Sequence, residues 1–147
     1  VKPVTVSVTV ARPVAEVYEF LAVLANHESF LDHFLVEWSF SGPRSGVGAK
    51  GRARTDAPAS QDWTEFEIVE ARAPELLVEE GVGAGGKRHT RGTYRLEELS
   101  GSRARVSFEL EWLRASRAES LAPPLTRAFI RRPTAKGMRR LAKQLQG

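Results

Sequence analysis

The chain has 147 residues, 41% hydrophobic and 27% charged, with a net charge of +4. Such values fit one domain spanning residues 1–147, with chain enough to bury a core, and so small a basic excess does not mark a nucleic-acid binder. The absence of cysteine excludes a disulfide framework, a thiolate metal site and a cysteine nucleophile.

No apolar run approaches the roughly 18 residues of a membrane span. The opening "VKPVTVSV" lacks the charged-then-apolar layout of a signal peptide, and no initiator Met precedes it. A cytoplasmic protein with a trimmed N-terminus is therefore expected. Residues 4–10, "VTVSVTV", alternate Val4, Val6, Val8 and Val10 against Thr5, Ser7 and Thr9, the period of a half-buried strand. Pro13 opens a helix at its first turn, and Val14, Val17, Tyr18, Leu21 and Leu24 follow at helical spacing. A short second helix is expected around "HESFLD", residues 27–32.

From Phe34 to about Leu113 the pattern is strand. Phe34, Val36, Trp38 and Phe40 share one parity; Val106, Phe108, Leu110 and Trp112 share another. Turns such as "SGPRSGVG", "VGAGGK" and "SGSR", spaced about every ten residues, predict consecutive antiparallel hairpins with one wet face. Within "DWTEFEIVEA", Phe66 and Ile68 oppose Trp63, Val69 and Ala71 in parity, which predicts a bulge. Pro123 and Pro124 begin a closing helix. A sheet this large must cover its apolar face, and that helix is the only sizeable cover.

Several patterns imitate chemistry. "GVGAKG", residues 46–51, matches a dinucleotide fingerprint but runs into a strand where a helix N-terminus is needed. "GVGAGGKR", residues 81–88, follows a phosphate loop as far as Lys87, then has Arg88 in place of Ser or Thr. Both read as glycine turns. His27 and His33 lie six apart, roughly 240° around a helix, and cannot share one ion. No metal or cofactor is expected. His27 and Glu28 are read as solvated, His33 as the histidine nearer a ligand, and His89 as part of the wet face, which leaves no histidine inside. Glu109 and Glu111 point away from Phe108 and Leu110, so no paired carboxylates emerge.

Polar residues on apolar parities carry more information. Tyr94 lies with Leu96, Thr64 with Phe66 and Ile68, and Glu80 with Leu76, Val78 and Val82. A buried hydroxyl or carboxylate needs a partner, and in a pocket the partner is a ligand. Glu80 would have its pKa raised by an apolar setting, which suits it to proton transfer. Tyr94 and Glu80 are thus the catalytic candidates. The other reading of Glu80 is a solvated residue near a strand end.

The segment 127–145, "RAFIRRPTAKGMRRLAKQL", holds seven Lys or Arg and no acid. On a helical wheel Ala135, Met138, Leu141, Ala142 and Leu145 form one face, opposed by Lys136, Arg139, Arg140 and Lys143. Leu125, Ala128 and Phe129 fall half a turn away, and Pro133 between the two sets is expected to kink the helix so that both face the sheet. The segment covers its own domain; nucleic acid and stable membrane insertion are not expected, and contact with an anionic lipid surface stays open as a secondary role.

The first strand running into "ARPVAEVYEFLAVLANHESFLDHF", the later "GVGAKGRAR", the "EIVEARAPELLVEE" hairpin and the pair "GTYRLEEL...RVSFELEW" together resemble the START-like, helix-grip (SRPBCC) superfamily. The polyketide cyclase/dehydrase and lipid-transport branch is the most similar. The resemblance implies an α+β fold, with a curved antiparallel sheet of about seven strands around a long kinked C-terminal helix. It also implies a small hydrophobic or polycyclic ligand held between them by a carrier or sensor. The alternatives are an aromatase/cyclase or dehydrase acting on a polyketide-type substrate, and a regulator with a vestigial cavity. The expected ligand-binding residues are Phe34, Trp38, Phe66, Ile68, Val78, Tyr94, Phe108, Leu110, Trp112, Phe129 and Met138. Ligand identity and oligomeric state are not encoded in any pattern found.

Overall fold

The computed structural model describes residues 1–58 and 61–146. Seven strands form one curved antiparallel sheet: β1 (Val4–Val10), β2 (Leu35–Ser41), β3 (Lys50–Thr55), β4 (Trp63–Arg72), β5 (Leu76–Gly83), β6 (Arg88–Ser100) and β7 (Arg103–Arg114). The order across the sheet is β1-β7-β6-β5-β4-β3-β2. Every neighbour after β2 is a hairpin partner, and β1 alone arrives from a distance to pair with β7.

Between β1 and β2 the chain crosses from one sheet edge to the other through α1 (Val14–Ala22), a 3₁₀ turn (Leu24–His27) and α2 (Glu28–Leu31). Val17, Tyr18, Leu21 and Leu24 bury the helical stripe against the inner face of the sheet. After β7, a short helix α3 (Arg117–Leu121) precedes α4 (Pro123–Leu145). Helix α3 was not among the elements expected from the sequence, where the closing helix begins at Pro123. Its signature is a capping box: Ser116 accepts from the Glu119 N–H while the Glu119 carboxylate accepts from the Ser116 N–H.

Pro133 lies inside α4, which nevertheless continues unbroken to Leu145. Met138 and Leu141 are buried, and Leu145 packs against the same core. Gly137 is bare for a steric reason: a Cβ there would stand 2.8 Å from Leu31 Cδ2 and 3.1 Å from the Phe30 carbonyl. That close approach seats α4 on α2. Arg140 then ties the two helices, meeting Asp32 at 2.7 Å and donating to the Ser29 carbonyl at 3.0 Å. Arg140, placed by the sequence among the solvated charges, is thus a clamp.

Two irregularities change which side chains face inward. The predicted bulge in β4 is present, with the register shifting between Ile68 and Glu70. A second, unforeseen one lies in β2 between Val36 and Ser39, where Glu37 has φ 56°. It interrupts strict alternation, so Leu35 and Trp38 both face the interior and Val36 does not share their surroundings.

Candidate functional site

The sheet and α4 do not close on each other. Between them lies a cavity of about 630 Å³, within the range that holds a small organic ligand. Phe34, Leu35 and Trp38 come from the approach to β2 and its start, Thr64 and Phe66 from β4, and Phe108, Leu110 and Trp112 from β7. The helical wall supplies Leu125, Thr126, Phe129, Ile130, Thr134 and Met138. Trp38 is held between Phe40 and Phe66, stacked at 5.6 and 5.7 Å, and its indole N–H donates to the Leu35 carbonyl at 2.7 Å. Phe129 meets Phe34 edge-on at 5.8 Å, joining α4 to the β2 side. Phe129 and Leu125 retain substantial exposure, whereas Met138 is buried, so the cavity opens toward the start of α4 and closes toward its end.

Polar groups gather at the two ends. At the open end Arg88, half-buried on β6, meets Asp62 at 2.9 Å and Glu119 at 3.6 Å, and donates to Thr64 Oγ1 at 2.9 Å. Glu119 also accepts from the Trp112 indole at 3.4 Å. The guanidinium therefore pins α3 to the β4 and β6 ends of the sheet. Gly83 lies beside it because a Cβ there would collide with Arg88.

At the closed end stand Glu79, Tyr94 and His27. Glu79 points from β5 into the cavity, and what surface it keeps faces that interior rather than bulk water. Burial pushes its carboxyl up to about 7. Among the described residues the carboxylate has no hydrogen bond or ion pair. Tyr94, from β6, is buried; desolvation first and the charge of Glu79 second hold its hydroxyl well above the usual range. His27 is fully buried, its Nε2–H donating to the Leu21 carbonyl at 2.7 Å. Burial lowers it to about 4, against the opposing hydrogen bond, so the ring is neutral with Nδ1 as an acceptor. The imidazole meets Tyr94 edge-on at 5.5 Å, and Tyr94 lies 4.6 Å from Phe108. Among the described residues no cluster of three or more His, Asp or Glu is placed to hold a metal ion, and no helix is long and apolar enough to cross a membrane.

Residues 3–146 match the model of the polyketide cyclase / dehydrase and lipid transport family. The chain belongs to this family. Comparison with curated protein sequences finds no match. Among solved structures, the ZhuI aromatase/cyclase from Streptomyces sp. R1128 superposes with a TM-score of 0.78 at 15% identity, covering 98% of this chain and 93% of that one. Norcoclaurine synthase from Thalictrum flavum gives 0.73 at 14% identity, covering 97% and 85%. The ginseng major latex-like protein 151 from Panax ginseng gives 0.73 at 10% identity, covering 97% and 96%. At such identities the likeness establishes the helix-grip fold and nothing finer.

Within this polyketide cyclase/dehydrase-family fold, Phe34, Trp38, Phe66, Tyr94, Phe108, Leu110, Trp112, Phe129 and Met138 line the cavity. Ile68 and Val78 do not. Ile68 is buried in the core beyond the cavity, and Val78 lies on the other face of β5. Glu80 is the main correction. It points to the outer face, where Arg91 meets it at 3.0 Å, and the inward acid is its neighbour Glu79. The parity was misread because β5 is apolar on both faces: Leu76 and Val78 outside, Leu77 inside. The histidines are also exchanged. His27, read as solvated, lines the cavity, whereas His33 is held by Arg140 at 2.7 Å and the Pro133 carbonyl at 2.9 Å and is not part of this cavity's lining. A helical wheel misplaces His27 because it sits in a 3₁₀ turn. Arg88 and Thr90 were also missed, although they share parity with Tyr94 and Leu96. The glycines at 81, 83 and 92 were a further signal, since a glycine inside a strand marks close approach by a large neighbour.

Proposed function

We propose that the protein takes a small hydrophobic or polycyclic molecule, lipid or polyketide-like, into the cavity between sheet and α4, and acts in the cytoplasm as its carrier or sensor. The carrying observation is the cavity: large, walled mainly by aromatic and aliphatic side chains, with polar groups confined to its ends. Such a space favours this reading over a regulator with a vestigial pocket. Exposed Leu121 and Leu125 near the opening, with Arg117, Arg131 and Arg132 in the same segment, suit loading at an anionic lipid surface.

Glu79 beside Tyr94 supports a second reading, aromatase/cyclase or dehydrase action on a polyketide-type substrate. A carboxyl that titrates near neutrality is matched to moving protons. The sequence offered no inward acid except the misplaced Glu80, so this reading gains from Glu79.

Native mass spectrometry of gently purified protein, with titration of fluorescent fatty acids, sterols and flat aromatic compounds, is expected to show one-to-one uptake. Loss of turnover on ketone substrates in Glu79→Gln or Tyr94→Phe, with binding kept, would establish the enzyme. Altered affinity without turnover on any ketone would establish the carrier. Failure of every class to bind would remove both.

A further inference from the structure

We propose that the closed end of the cavity, where Glu79, Tyr94 and His27 Nδ1 stand among Phe30 and Phe108, recognises a protonated amine carried on an apolar aromatic ligand. The inference rests on the cavity being a ligand site and names the polar group of that ligand.

Charge is the first support. The cavity wall holds three acids, Asp62, Glu79 and Glu119, against one cation, Arg88, although the whole chain carries +4. The guanidinium is committed at the open end to Asp62, Glu119 and Thr64. Among the described residues Glu79 therefore has no counter-charge, and α4 sends no charged side chain into this space.

Hydrogen-bonding capacity is the second. His27 spends its only N–H on the Leu21 carbonyl, so Nδ1 can only accept. An ionised Glu79 also only accepts, and the Tyr94 hydroxyl either donates or accepts. An ammonium group, which only donates, matches that set. A carboxylate or phosphate head would set negative charge against an ionised Glu79 and acceptors against His27 Nδ1, and a carbonyl would find the Tyr94 O–H as its donor once Glu79 is ionised. The rings of Tyr94 and Phe108, 4.6 Å apart, and of Phe30, 5.3 Å from His27, supply the apolar and π surface that favours a cation next to an aromatic body.

The pH dependence follows from the groups facing Glu79. Tyr94 stays neutral, His27 stays neutral, and Arg88 is at the far end, so of these groups Glu79 is the one that titrates near neutrality. Its ion pair with an amine forms only when the carboxyl is ionised. Affinity for the amine climbs with pH to about 7 and then levels, and binding below that point releases a proton from Glu79.

Isothermal titration calorimetry with 2-(2-naphthyl)ethylamine and its neutral counterpart 2-(2-naphthyl)ethanol tests this at about pH 5.5 and about pH 8. The amine is expected to bind roughly tenfold or more tighter at the higher pH and tighter than the alcohol there, while the alcohol stays level. Glu79→Gln is expected to remove the amine preference, with a cooperative thermal melt showing that the variant folds. An amine that binds no better than the alcohol, tightens at low pH, or keeps its preference in Glu79→Gln overturns the inference and leaves the cavity reading intact. Uptake of neither compound overturns the inference, while the cavity reading stands or falls with the fatty-acid, sterol and flat-aromatic titrations.

Discussion

Glu79 and Gly92 face each other across β5 and β6, and the side chain that Gly92 lacks is the space used by its neighbours. A Cβ on Gly92 would lie 3.1 Å from Glu79 Oε1 and 2.8 Å from Phe108 Cε1. Residue 92 has no backbone need for glycine, so the constraint is steric. Gly92→Ala is expected to destabilise by about 1–3 kcal/mol through overpacking, although the same change in an unobstructed strand would be favourable. Urea unfolding measures it, with Gly101→Ala, which meets nothing within 4 Å, as the neutral control. Equal stability of the two variants would show that Phe108 and Glu79 yield freely.

Two buried groups with opposite linkage set the pH dependence of stability. His27 falls from 6.5 to about 4, so its contribution is whole above 6.5 and is lost as pH drops toward 4. Glu79 rises from 4.5 to about 7, so the folded state is favoured below 4.5 and loses stability as pH climbs toward 7. Between about 4.5 and 6.5 the slopes oppose, each near 1.4 kcal/mol per pH unit, and largely cancel. The wild type is expected to be nearly flat there. Glu79→Gln exposes the His27 slope, stability rising with pH; His27→Gln exposes the falling Glu79 slope. Thermal or denaturant melts across the window read both, and a flat profile in both variants would contradict the burial argued for each group.

Arg88 bridges the β4 end, through Asp62, to α3, through Glu119. Removing the half-buried guanidinium takes away its ion pairs with Asp62 and Glu119 and its hydrogen bond to Thr64, so Arg88→Met is expected to cost about 2 kcal/mol. Hydrogen exchange at residues 117–121 is expected to accelerate more than exchange in β6 and β7, and ligand release to quicken. Unchanged protection of α3 would mean that the capping box at Ser116 holds that helix without help from the sheet.

Much of the fold was legible in the chain. Val4–Val10 alternates cleanly because one face of β1 is wet and the other is core. On β7, Phe108, Leu110 and Trp112 keep one parity with acids opposite, and all three line the cavity. The bulge in β4 could be anticipated because its two parities conflict within one strand. Where both faces are apolar, as on β5, alternation carries no sign, and Glu79 and Glu80 exchange places.

Local chemistry along the chain therefore settles which segments are strand or helix, that α4 is amphipathic, and that aromatic side chains collect on one face of the sheet. Pairing between distant segments settles the rest. The bulge at Glu37 turns Leu35 inward, the 3₁₀ turn buries His27, and registry with Gly92 selects Glu79 as the acid in the cavity. Side-chain direction depends on hydrogen-bond register, and register is a property of neighbouring strands that no single stretch of residues contains.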